Sequence, residues 1–150
     1  FWKVSIIKWK KELLKLNAPT DLYVEGESFT TELKITEHLI KSFADISGDI
    51  NPLHTDPDYA KEKGFLKTVA YGNLLGLLIS TLIGVKLKSK EVMLVTQTVN
   101  YKKPVYAGDT IILTGTVSNI VSAVSSIELK LVFSNGQQTV ASGKCIFKCL

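Results

Sequence analysis

Arginine is absent from this sequence, and all 18 of its strongly basic side chains are lysines. The planar guanidinium is the usual bidentate reader of phosphates and base edges, so the chain lacks the ordinary equipment of a nucleic-acid surface. The charge distribution agrees. Residues 1–16 carry Lys3, Lys8, Lys10, Lys11 and Lys15 against Glu12, which accounts for the whole net charge of +4 and leaves the remainder neutral. Cysteine is nearly as scarce. Cys145 and Cys149 both fall in the last strand-like stretch, where four residues of extended chain separate Cα atoms by roughly 13 Å, past the limit of about 7 Å for a disulfide. With no histidine beside them they also make a poor zinc site. Two free thiols point to a reducing intracellular compartment, cytoplasmic by default. Charge-free runs are short: Val69 to Val85 spans about 17 residues and includes Asn73, Ser80 and Thr81, which favours a buried helix over a transmembrane segment. There are no repeats and no Gly/Ser-rich linker.

What is present describes one globular domain. Hydrophobic residues make up 45% and charged residues 21% of 150 positions, enough to bury a core without staples. The segment FWKVSIIKWKKELLKLN stands apart as a basic, apolar extension over residues 1–20, with the domain expected over 21–150. A targeting remnant or a membrane-surface helix are alternative readings of it, the former placing the protein in an organelle. A chain beginning at Phe1 rather than Met is expected to be processed or cut from a longer one.

Along the body, SFTTELKI alternates as a half-buried strand. Thr36 reads as an N-cap, EHLIKSFADIS as an amphipathic helix, and Gly48 as its end. Asn51-Pro52 and Asp56-Pro57 each read as a cap followed by the first helical position, so the chain turns twice before Gly64. GNLLGLLISTLIGVKL predicts a helix from about Gly72 to Lys86, apolar on nearly all sides and therefore enclosed. Four strand-like stretches follow, the last two joined at Asn135-Gly136, a strong short hairpin signal. The order predicts an α+β fold, an antiparallel sheet around one buried helix.

Chemistry concentrates in SGDINPLHTDPDYA. A carboxylate (Asp49), an amide (Asn51) and an imidazole (His54) form a set that holds and moves protons. Pro52 pushes Asn51 into an extended conformation, so the backbone turns and the set can face one small volume. Asp-x-Asn-Pro is also ordinary turn and capping chemistry, and the residues alone leave both readings open. The other histidine, His38, reads as a helix-surface residue.

Gly48, Asp49, Asn51, Pro52, His54, Asp56 and Ala60 stand in one register that resembles the hydratase-2 motif of the MaoC-like family. AYGNLLGLLIS resembles that family's central helix, and KKPVYAGDTI the strand-turn-strand after it. The resemblance runs from about Tyr23 to the C-terminus. It implies a hot-dog fold and a hydro-lyase, an (R)-specific enoyl-CoA hydratase or 3-hydroxyacyl thioester dehydratase. Asp49 and His54 match the catalytic pair, with their acid and base roles undivided, and Asn51 matches the amide that orients them. Gly72 matches the glycine whose N–H bonds the thioester carbonyl, and Ser80 a serine of the active-site wall. Tyr71 departs from the His-Gly usual before the helix. No metal or redox cofactor is implied. The CoA or acyl-carrier thioester is the substrate, whose phosphates would rely on lysines such as Lys86, Lys88 or Lys90 or stay largely solvated, and a homodimer is implied. The competing readings are a hot-dog acyl-CoA thioesterase and a non-catalytic acyl-CoA-binding protein.

Overall fold

The computed structural model describes residues 18–150. The expectations for the basic segment at the N-terminus therefore lie outside the described residues, apart from its last three positions. There a 3-10 turn at Pro19–Leu22 leads into the body. Thr20 is already buried, and its hydroxyl donates to Ser122 Oγ at 3.2 Å.

Local chemistry sets the elements before the sheet closes over them. Strand β1 is Ser28–Lys34 and helix α1 is Glu37–Ser47. Thr36 caps α1 by accepting the Leu39 N–H, and Gly48 ends it in the left-handed region at φ 72°, where a side chain would be strained. Helix α2, Pro52–Thr55, is capped by Asn51, and helix α3, Pro57–Glu62, by Asp56; each begins on proline, as expected. The central helical run starts as a 3-10 turn at Gly72–Leu74, continues as α4 over Leu75–Thr81, and ends in a π turn at Leu82–Lys86. Strands β2 to β5 are Val92–Tyr101, Thr110–Val121, Ser126–Ser134 and Thr139–Cys149.

The five strands form one antiparallel sheet in the order β1-β3-β4-β5-β2. Its concave face presents Ile111, Leu113 and Val117 from β3, Ile127 to Phe133 in alternation from β4, and Cys145 and Phe147 from β5, all buried. Leu74, Leu75, Leu78, Ile79, Leu82 and Ile83 of the central run fill that face. Gly115 permits the close approach, because a Cβ there would stand 2.6 Å from Leu82 Cδ2. Both cysteines are free and buried, and burial pushes the Cys145 thiol up to about 12, so it packs as a small apolar group rather than as a nucleophile.

Within one chain the sheet covers one side of the central helix, and Asn73, Leu77, Ser80, Thr81, Gly84 and Val85 lie on its exposed side. One sheet has one concave face and covers only half of a helix. The hairpin expected at Asn135-Gly136 joins β4 to β5, with a loop longer than two residues. Ser134 pairs with Thr139, because Asn135 Oδ1 accepts the N–H groups of Gln137 and Gln138 and stabilises a four-residue loop. No helix among the described residues is long and apolar enough to cross a membrane.

Candidate active site

The segment between α1 and the central helix brings the polar residues together. Val69 anchors it from both sides. Its N–H donates to Leu53 O at 3.1 Å, and its carbonyl lies 2.7 Å from Nδ1 of His54. Ala70 N–H donates to Val105 O at 2.8 Å, tying the same stretch to the loop after β2. A carbonyl only accepts, so Nδ1 of His54 carries the hydrogen. In the neutral ring the lone pair then sits on Nε2.

Asp49 lies in the exposed loop between α1 and α2, where its Oδ1 accepts the Asn51 N–H at 3.0 Å and its Oδ2 has no hydrogen-bond partner among the described residues. Asp49 and His54 line one cavity of about 500 Å³, together with Gly72, Tyr71 and Tyr101. No hydrogen bond joins the carboxylate to the imidazole among the described residues. The Gly72 N–H, first of the helical run, has no acceptor among the described residues. A Cβ at Gly72 would stand 2.9 Å from Cζ of Tyr101, so the Tyr101 ring packs where any larger residue would need its side chain.

The remaining expected site residues fall elsewhere. The side chain of Asn51 does not line the cavity. Its Oδ1 accepts the Leu53 N–H at 2.9 Å and caps α2, the helix that carries His54. Replacing a cap by alanine costs about 0.5–2 kcal/mol. Asn51→Ala is therefore expected to lose activity less than tenfold with a lowered melting temperature. Asn51→Ser, which restores an acceptor, should recover both; thermal unfolding and initial rates measured together check this. Ser80 is exposed on the open side of the central helix, and one chain does not bring it to the cavity wall. Helical spacing puts it two turns from Gly72 but on the face that the sheet leaves uncovered.

The expected phosphate-binding lysines are also placed otherwise. Lys88 pairs with Glu27 at 2.6 Å and donates to Leu22 O at 2.8 Å, the Lys90 ammonium bonds the Val85 carbonyl, and neither they nor Lys86 line the cavity. Lys102 and Lys103 do line it. Their main-chain N–H groups both donate to Val140 O, at 2.8 and 3.1 Å, which fixes the rim that bears them. The Val69 carbonyl and these lysines escape sequence reasoning for different reasons. A main-chain acceptor has no residue signature, and the lysines are adjacent to the cavity only through pairing of β2 with β5.

Comparison with known proteins agrees in sequence and in shape. The family model described as "MaoC like domain" matches residues 24–142. An (R)-specific enoyl-CoA hydratase of Rhodospirillum rubrum is 32% identical over 120 residues, which cover 80% of this chain and 83% of that protein. A 3-hydroxybutyryl-CoA dehydratase of Methylorubrum extorquens is 28% identical over 115 residues, covering 77% and 73% respectively. Among solved structures, the (R)-hydratase from A. caviae involved in PHA biosynthesis superposes with a TM-score of 0.79 at 26% identity, covering 85% of this chain and 98% of that one.

Proposed function

The chain belongs to the MaoC-like domain family, and on that premise we propose that it is a hydro-lyase adding water reversibly to a trans-2-enoyl thioester to give the (R)-3-hydroxyacyl thioester. The observation that carries this reading is the convergence of Asp49, His54 and Gly72 on one cavity. Water sits between the two side chains. Asp49 Oδ2 accepts one of its hydrogens and aims the oxygen at C3. As the C3–O bond forms, His54 Nε2 takes the other hydrogen, and the C2=C3 electron pair moves toward the thioester to form an enolate. The Gly72 N–H stabilises the charge that builds on the thioester oxygen, a kind of contact typically worth about 10²–10³ in rate. The imidazolium then returns its proton from Nε2 to C2. One ring nitrogen serves both steps from one side, so hydrogen and hydroxyl enter on the same face. No electrons leave the system.

The discriminating test against a thioesterase is a single assay with crotonyl-CoA. Loss of the conjugated-thioester absorbance without release of thiol supports hydration; thiol release in proportion to lost substrate refutes it.

Two copies complete the fold in this reading. The exposed stripe Leu77, Ser80, Thr81 and Val85 continues toward strand β2, an edge strand on which Met93 and Val95 are exposed. A second copy laid edge to edge would cover both. Coenzyme A meets Lys102 and Lys103 at the rim. Exposed ion pairs contribute about 0–1 kcal/mol each, so the double variant Lys102→Glu/Lys103→Glu is expected to raise KM for crotonyl-CoA roughly tenfold with kcat preserved. Crotonyl-pantetheine, which lacks the phosphates, should show no change, and a crotonyl acyl-carrier protein distinguishes the two carriers.

A further inference from the structure

Tyr71 touches both members of the acid–base pair. Its hydroxyl donates to the main-chain carbonyl of Asp49 at 2.5 Å. Its ring packs on the imidazole of His54 with centroids 4.0 Å apart at an interplanar angle of 37°. Phe43 of α1 backs the same ring at 4.8 Å. Tyr71 is only 3% exposed, and its hydroxyl is engaged by a carbonyl rather than aimed at the cavity centre.

We propose that Tyr71 is the positioning residue that sets the spacing between the Asp49 carboxylate and the His54 imidazole. The inference rests on the hydration reading given above, and it concerns the position where the family usually carries histidine. The reason lies in the loop that holds Asp49. Residues 47–51 are all exposed, so no packing immobilises them. Their other hydrogen bonds are local: Asp49 N–H to Ser47 Oγ at 3.2 Å, Asn51 N–H to Asp49 Oδ1, and Gly48 N–H to Ala44 O. The bond from Tyr71 is the one tie between this loop and a distant part of the chain among the described residues. His54 is held separately, by Val69. Tyr71 follows Val69 by two residues and precedes Gly72, so the short stretch 69–72 bears on all three reacting groups. It fixes the imidazole by a carbonyl, the carboxylate loop by a phenol, and supplies the oxyanion N–H. Burial, with Asp49 and Asp45 adding to it, holds the Tyr71 pKa above its ordinary value, so the phenol stays protonated and keeps donating wherever the enzyme works. A misplacement of about 1 Å at a reacting group can cost on the order of 10²-fold in rate, and among the described residues the loop has no other long-range hydrogen bond to resist it.

The test is Tyr71→Phe, which keeps the ring on His54 and removes only the tie to Asp49, with Tyr71→Leu beside it to remove the ring as well. For Tyr71→Phe, kcat with crotonyl-CoA is expected to fall roughly ten- to a hundredfold while KM and melting temperature stay within error of wild type. Amide hydrogen exchange should accelerate at residues 48–51 alone. Tyr71→Leu should fall further. A Phe variant with kcat within twofold of wild type overturns the inference and leaves the hydration reading standing. A loss of kcat that comes with a large drop in melting temperature, or with faster exchange throughout the sheet, also overturns it, because the role is then structural. Absence of hydration in the wild-type protein itself counts against the reading beneath the inference instead.

Discussion

Asp49→Asn and His54→Gln are each expected to lower turnover of crotonyl-CoA by about 10²–10⁴, the usual contribution of a general acid or base, while the protein stays folded. Both substitutions are nearly isosteric. In Asp49→Asn the amide oxygen can still accept the Asn51 N–H, so the loop keeps its turn and loses only the charge that holds water. In His54→Gln the new side chain retains bulk on α2 but has no basic nitrogen to take a proton. Asp49 is exposed and His54 half-buried, so neither substitution opens a cavity or strands a buried charge. Initial rates and circular dichroism together check the expectation. Turnover within tenfold of wild type in either variant would reduce the motif to turn and capping chemistry.

The second large effect separates the two sides of the central helix. Leu78 is 1% exposed and Leu77 43%, although they are neighbours in one helix. Leu78→Asp places a carboxylate among Leu74, Ile79 and Leu82 with no partner, and breaking a core in this way is expected to leave the chain unfolded. Loss of the side chain alone, in Leu78→Ala, costs about 2–5 kcal/mol. Leu77→Asp puts the same charge on the exposed stripe, where the chain can stay folded but a second copy cannot dock. The expected outcome is a folded monomer by sedimentation and circular dichroism, against a dimer for wild type. A wild-type monomer, or a Leu77→Asp dimer of unchanged stability, would move the interface elsewhere.

Much of this architecture was legible because its signals are local. Thr36, Gly48, Asn51-Pro52 and Asp56-Pro57 each act on main-chain groups within four residues, and each occurs where the pattern places it. Alternating hydrophobicity marked the strands for the same reason. What was not legible is long-range or main-chain in origin. Asn51 stands at a motif position, yet its side chain serves a helix cap, which residue type alone does not distinguish from a contact in the cavity. Lys88 and Lys90 follow the helix in sequence but are bound to Glu27 and Val85, whereas Lys102 and Lys103 reach the cavity rim because β2 pairs with β5.

In the proposed reaction water enters at C3 and a proton at C2 from one face of the double bond. Crotonyl-CoA incubated with the protein in deuterium oxide, with the product resolved by NMR and chiral chromatography, tests this most directly. The predicted product is (R)-3-hydroxybutyryl-CoA carrying one deuterium at C2, on the same face as the hydroxyl group. Recovery of crotonate and free coenzyme A, or of the (S) product, would contradict it.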